Sequence, residues 1–232
     1  MGNFRTSAFV ALLALVFGFI GAGAWQAVFG HQQTREYLLE NPEILRDLAD
    51  SYDRKQARER LADVEQDVFV PFPGAVLGNP QGKVTLVEFT DYGCTYCRQS
   101  RDHVAALVKA NPDLKVVIRE WPIFDGSEQA ARMALAAARQ GKFTAFHDAM
   151  FELGPPSEQS VLKAAAAAGI DMAQANAFMA SKEADFELAK NMGLARQLAF
   201  TGTPSWVVGD QVLQGAVGEE KLAEAIAEAR GS

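Results

Sequence analysis

The sequence predicts an α/β fold in the order βαβ, helical insertion, ββα, behind a hydrophobic helix and a helical stalk. Three observations carry that prediction. Two β-branched, apolar runs, "KVTLVEF" (83–89) and "LKVVIREWPI" (114–123), flank a single helical stretch. A long Ala-rich segment of helical composition follows, and two short apolar runs then meet across Gly209-Asp210. Apolar density along both strands of a strand-helix-strand unit marks a parallel pair buried on both faces.

The composition is that of a globular protein able to bury a core without disulfide staples: 232 residues, 49% hydrophobic and 22% charged. A net charge of -7 with no run of Lys or Arg argues against nucleic acid and offers no basic patch to anionic lipid. Proteins or small molecules remain as partners.

Between Arg5 and Arg35 no charged residue occurs, and residues 8–29 are apolar over close to the ~20 positions that span a bilayer. Residues 1–30 therefore read either as a membrane anchor or as a signal peptide cut near Ala24, where Ala22-Gly23-Ala24 fits the small-residue pattern of a cleavage site. Arg5 before the run and no positive charge just after it place the remainder outside the cytoplasm. Residues 31–70 have helical composition with a break and fresh start at Asn41-Pro42, which makes a stalk. Leu45, Leu48 and Tyr52 keep a 3,4 spacing that then fails at Lys55 and Glu59. A homo-oligomer formed through residues 31–66 and a solvated spacer helix both fit that pattern.

The domain is expected over residues 71–232. "PFPGAVLGNPQG" (71–82) reads as its Pro- and Gly-rich linker. After the first strand, Cys94 to about Ala110 forms a helix with Val104, Leu107 and Val108 on one side, stopped by Asn111-Pro112. The second strand follows, then a helical insertion over about 126–200, punctuated by Pro155-Pro156 and Gly169. "PSWVVG" and "QVLQGAV" form a hairpin turning at Gly209-Asp210, and "GEEKLAEAIAEAR" closes the chain as an amphipathic helix.

The two cysteines of the chain, Cys94 and Cys97, stand two residues apart in "EFTDYGCTYC". So short a loop restricts an unfolded chain very little, so the pair is no staple. Three residues along a helix is close to one turn, within the reach of a disulfide that opens and closes without rebuilding the fold. At the helix N-terminus, Cys94 faces free N-H groups and the positive end of the dipole, which favour its thiolate. Cys94 is thus expected as the exposed nucleophile and Cys97, a turn deeper, as the resolving thiol.

With "LVEFTDYGCTYC", a helical insertion and "FTGTPSWVVGDQVLQGAVG", residues 75–230 resemble the DsbA-like branch of the thioredoxin superfamily. The "REYLLENPEIL" segment resembles the stalk of ScsC-like members, some of which oligomerise through it. The resemblance implies a thioredoxin-like fold and a cis peptide before Pro204, beside which an extended substrate segment pairs. It also implies a buried acid on the strand before the motif, matched by Glu88, able to take the Cys97 proton; the plainer reading turns Glu88 to solvent. Strongly oxidising members carry a His between the cysteines. Thr95 and Tyr96 stand there here, which implies a Cys94 pKa lowered less and a milder oxidant. Tyr96 and Thr203 match isomerase and reductase members and join Pro204 as candidate substrate contacts.

Against this stand a metal site and an inert binding module. Structural zinc wants four ligands, and only His31, His103 and His147 could add to the two cysteines, so no metal ligand is assigned; capture of Cu(I) by the reduced dithiol is the alternative function. An inert module would require a buried Cys94. His103 and His147 otherwise read as surface or core-edge residues and Trp206 as core. The expected activity is extracytoplasmic thiol-disulfide exchange with protein substrates, as isomerase or mild oxidase. It requires no metal or organic cofactor but does require a membrane redox partner. Nothing in the residues sets its direction.

Overall fold

A computed structural model describes the backbone of residues 2–231, and side chains at 9–21, 23, 25 and 34–231. The expected cleavage site at Ala22 and Ala24, and His31, have side chains outside the described residues. By contacts the chain divides into Met1–Asp53 and Arg54–Ser232.

In the first unit, helix α1 spans Gly2–Glu40 and is followed by the start of α2, Pro42–Val68. Asn41 makes the break, its side-chain amide donating to the Tyr37 carbonyl at 2.8 Å, and Pro42 opens α2, where a missing N-H costs nothing. Phe9, Leu12, Leu15, Phe17 and Phe19 are exposed, as are Leu45, Leu48 and Tyr52. Among the described residues no helix is long and apolar enough to cross a membrane.

The second unit is built on one sheet. Strands β1 (Val76–Gly78), β2 (Val84–Thr90), β3 (Leu114–Glu120), β4 (Ser205–Val208) and β5 (Gln211–Gln214) lie in the order β1-β3-β2-β4-β5. β2 and β3 are parallel, joined by α3 (Thr95–Ala110), while β4 pairs antiparallel with β2 and β5 with β4. Between β3 and β4 come α4 (Ser127–Arg139), α5 (Phe143–Leu153), α6 (Glu158–Ala167), α7 (Met172–Met179) and α8 (Lys182–Gln197); α9 (Gly218–Gly231) follows β5. The predicted order is therefore observed, with one addition. β1, inside the segment read as linker, pairs antiparallel with β3. Three residues among Pro and Gly give no alternation to read.

The two faces of the sheet carry different cores. Leu86, Val116, Ile118, Trp206 and Val208 pack with α3, α9 and the insertion, and Val104 and Leu107 of α3 reach this core as expected. Val87, Phe89, Val117 and Val207 pack instead with Leu194 and Leu198 of the α8 end and with Leu61, Val64 and Val68 of α2. The last two turns of α2 thus belong to the domain. Arg119 fixes them there, because its guanidinium donates to the carbonyls of Asp67, Val68 and Val70 at the α2 C-terminus. Since strand side chains alternate, Glu88 and Thr90 share the face of Leu86, toward α3.

Candidate functional site

β2 ends at Thr90, and "DYG" turns the chain into α3 with Cys94 as its N-cap. The Asp91 carboxylate makes the turn. It accepts from the Gly93 N-H at 2.6 Å and, across to the loop after β3, from the Ile123 and Phe124 N-H groups at 2.6 and 2.9 Å. Gly93 is required because a Cβ there would sit 2.7 Å from Ser127 Oγ at the start of α4.

The exposed nucleophile expected at Cys94 is corrected: Cys94 is only 4% exposed, and Cys97 is fully buried. The loop before β4 is what covers Cys94. Its Thr203-Pro204 peptide is cis, and the Thr203 carbonyl accepts from Cys94 Sγ at 3.2 Å. Burial alone raises a thiol's pKa and quenches it. Here the Cys94 pKa is lowered to about 5, chiefly by a hydrogen bond from Cys97, then by Thr203 and the backbone N-H groups of Cys97 and Tyr96, against the opposing effect of burial. The Thr203 hydroxyl is buried and makes no hydrogen bond of normal distance and angle, which leaves it available to a thiolate at Cys94. Cys97 is displaced the opposite way, its pKa pushed far up by burial, by the Cys94 contact and by Glu88. Both thiols are free.

Glu88 is buried, with its pKa raised to about 8 first by desolvation and then by the charge of Cys94, while the Thr90 hydroxyl works to lower it. The solvent-facing alternative for Glu88 is thereby excluded. Cys94, Cys97, Glu88, Thr203 and Pro204 converge on one region. Tyr96, between the cysteines, is 61% exposed. Trp206 is core, its indole N-H donating to Gly215 O at 2.9 Å.

His147 is corrected from a surface or core-edge residue to a buried member of a polar chain that sequence reasoning missed. Tyr92 Oη lies 3.0 Å from Glu120 Oε1 and 3.0 Å from His147 Nδ1. One phenolic proton serves only one of these contacts. Tyr92 Oη donates to Glu120 Oε1, so the contact with His147 is made by the imidazole Nδ1-H donating to the phenolic oxygen. Burial raises the Glu120 pKa well above its ordinary value and lowers that of His147 to about 3, which leaves the imidazole neutral. Glu120 was read only as part of the 114–123 strand, and no spacing in the sequence ties it to Tyr92, 28 residues away. The Asp91 turn, by contrast, was present locally in "DYG".

This geometry agrees with comparisons to known proteins. A family model for the DSBA-like thioredoxin domain matches residues 85–227. The structure of a thioredoxin-like oxidoreductase from Silicibacter pomeroyi is 45% identical, covering 68% of this chain and 92% of its own, with a TM-score of 0.65. A periplasmic thioredoxin-like protein from Salmonella enterica serovar Typhimurium is 28% identical over 73% of this chain and 97% of its own, TM-score 0.64. ScsC of Proteus mirabilis in a transitional conformation is 25% identical over 90% and 98%, TM-score 0.67. The chain spans about a quarter of the length of the curated relatives it matches: the Na(+)/H(+) antiporter NhaA 3 of Salinispora tropica is 29% identical over 68% of this chain and 25% of that protein.

Proposed function

The chain belongs to the DSBA-like thioredoxin domain family, and on that premise we propose that it is an extracytoplasmic enzyme exchanging disulfides with unfolded or misoxidised proteins, as an isomerase or mild oxidase. The observation that carries this reading is the asymmetry of the two thiols. Cys94 at about 5 is a thiolate at neutral pH, while Cys97 is held protonated. In the forward cycle the Cys94 thiolate attacks a substrate disulfide, and Cys97 then resolves the mixed disulfide by attacking Cys94 Sγ. Glu88 takes the proton. Its pKa of about 8 includes a contribution from the Cys94 charge, which vanishes once Cys94 is bonded to substrate, so a larger fraction of Glu88 is ionised and free to accept a proton in the state that needs one. The oxidised pair donates its disulfide by the reverse path. Tyr96, Thr203 and Pro204 form the substrate contact beside it.

The same thiolate pKa bears on the direction of exchange. Thiolate pKa values of about 3.5 and about 7 mark a strong oxidant and a reductant of this fold, and Cys94 falls between. A reduction potential measured for Cys94/Cys97 in equilibrium with glutathione is expected between those extremes. A value near about -120 mV would defeat the mild-oxidant reading. Cys94→Ser is expected to abolish exchange on an unfolded test protein, and full retention would defeat the reading as a whole.

The apolar run at 8–29 supports delivery to, or anchoring at, the extracytoplasmic face, where a membrane redox partner would set the direction. The periplasmic Salmonella relative supports the same compartment. Exposed Leu45, Leu48 and Tyr52 support association through the stalk, and a monomer in sedimentation would count against it.

A further inference from the structure

The face of β2 that presents Glu88 presents a second polar side chain two residues on, which the exchange cycle above leaves unused. Thr90 is wholly buried, and its hydroxyl makes no hydrogen bond of normal distance and angle. An unpaired buried hydroxyl costs about 1–3 kcal/mol, and valine would fill the same space without that cost. The side chain lies on the sheet face turned to α3, whose first turn buries Cys97, and beside Glu88 on its own strand; from there the hydroxyl lowers the pKa of both groups. It thus sits beside both the source and the destination of the proton that must move when Cys97 attacks. Hydroxyls are suited to that place because they accept one proton while donating another, which neither a valine nor a carboxamide of fixed orientation does. On the paired position of β3 stands Glu120, whose pKa burial raises and which accepts from Tyr92, and Asp91 follows Thr90 in the chain with its carboxylate held by the Gly93, Ile123 and Phe124 N-H groups.

We propose that Thr90 is the proton relay between Cys97 and Glu88 in the resolution of the mixed disulfide; the proposal rests on the exchange reading above. In that step Thr90 Oγ1 takes the Cys97 proton and passes its own to a Glu88 carboxylate oxygen. Cys97 Sγ attacks Cys94 Sγ, the Cys94-Cys97 bond forms, and the bond from Cys94 to the substrate sulfur breaks. The substrate sulfur leaves with the electron pair. The enzyme dithiol has then been oxidised by two electrons and the substrate disulfide reduced, with the proton resting on Glu88.

The test isolates this step. The full-length reduced protein is mixed with 5,5'-dithiobis(2-nitrobenzoate), and release of the second thionitrobenzoate, which reports Cys97 attack on the Cys94 mixed disulfide, is followed by stopped flow. Thr90→Val is expected to slow the second release by about 10²-fold, the lower range for loss of general acid-base assistance, and to leave the first release unchanged. Thr90→Ser is expected to restore the second release to within about twofold of the parent. Equal second-phase rates for parent and Thr90→Val overturn the relay, and so does a Thr90→Ser variant as slow as the valine, which would make Thr90 a packing residue. If the valine variant fails to fold, Thr90→Ala is judged by the same criterion. A parent protein that never gives a second release defeats the exchange reading itself, a result distinct from any failure of the relay.

Discussion

The sulfur of Cys94 lies 3.2 Å from the carbonyl oxygen of Thr203, which is 109 residues further along the chain. As a thiol, Cys94 donates to that oxygen. As a thiolate it has nothing to donate, and its pKa is lowered by the Cys97 S-H, the Thr203 side chain and the backbone N-H groups of Cys97 and Tyr96. The thiolate therefore depends on neighbours that can be removed one at a time. In the parent protein, the alkylation rate of Cys94 is expected to rise with pH to a half-maximum near 5. Cys97→Ala is expected to move that midpoint up the most, because Cys97 supplies the largest lowering effect. Thr203→Val is expected to move it up by about one unit, the worth of one hydrogen bond to a charged group. A Thr203→Val midpoint at or above that of Cys97→Ala would reverse the assigned order.

Glu88 ties stability to pH. Its pKa of about 8 in the folded chain stands above the ordinary 4.5, so between those values the folded state binds more protons than the unfolded one. The favourable contribution is fully present below pH 4.5 and is lost as pH rises through 8. Oxidised protein is the sample to use, since neither cysteine then titrates; without the Cys94 charge the Glu88 pKa there lies below about 8 but stays raised by desolvation, the largest cause. Glu120 acts in the same direction and His147 only on the acid side, so the difference between parent and Glu88→Gln isolates Glu88. Urea unfolding is expected to show the parent losing roughly 2–4 kcal/mol relative to Glu88→Gln between pH 5 and 9. A pH-independent difference would mean that Glu88 titrates normally.

The features legible in the sequence are those written in short range. Cys94 and Cys97 declare themselves by spacing, β2 and β3 by their β-branched runs, and the β4-β5 turn by Gly209-Asp210. Pro204 became a site residue only through resemblance, because nothing near "GTPSW" says that it returns to Cys94. Glu88 was ambiguous for a related reason: in "TLVEF" every position is compatible with either face, and only β4 pairing on one side and β3 on the other shows that the strand is central and buried. Tyr92, Glu120 and His147 come from three separate elements, so their chain of contacts has no local pattern. Exposure of Cys94 was misjudged because the covering group, the Thr203 peptide, comes from the far end of the fold.

The chain from Glu120 through Tyr92 to His147 gives a third prediction. Tyr92→Phe keeps the ring against Phe146 and Phe151 but takes away the oxygen that meets both Glu120 Oε1 and His147 Nδ1. Two buried polar atoms lose their partner. The expected cost is about 1–3 kcal/mol in denaturant unfolding at neutral pH. Tyr92→Phe with His147→Phe leaves only Glu120 unpaired and is expected to recover part of that loss. Near-neutral stability of Tyr92→Phe alone would show that the contacts contribute nothing net.

Arg119 gives the last prediction, on the opposite face of the sheet from Cys94. Its guanidinium is fully buried, with Nη1 3.2 Å from Glu187 Oε1 and 3.1 Å from Asn191 Oδ1 on α8. Nη2 is turned to the last carbonyls of α2. One cation therefore neutralises a nearly buried carboxylate and satisfies helix-end acceptors that have no partner within the helix. Arg119→Met removes both services at once and strands Glu187, for an expected loss of about 3–5 kcal/mol. Glu187→Gln in the same chain removes the stranded charge and is expected to return part of it. Because the carbonyls of Asp67, Val68 and Val70 lose the guanidinium in both variants, with only the Val70 N-H left on Asp67 O, the part not returned measures the hold of Arg119 on α2. Hydrogen exchange should then speed up first at Leu61 to Val68, and protection there equal to the parent's would show that Leu61, Val64 and Val68 hold the helix by packing alone.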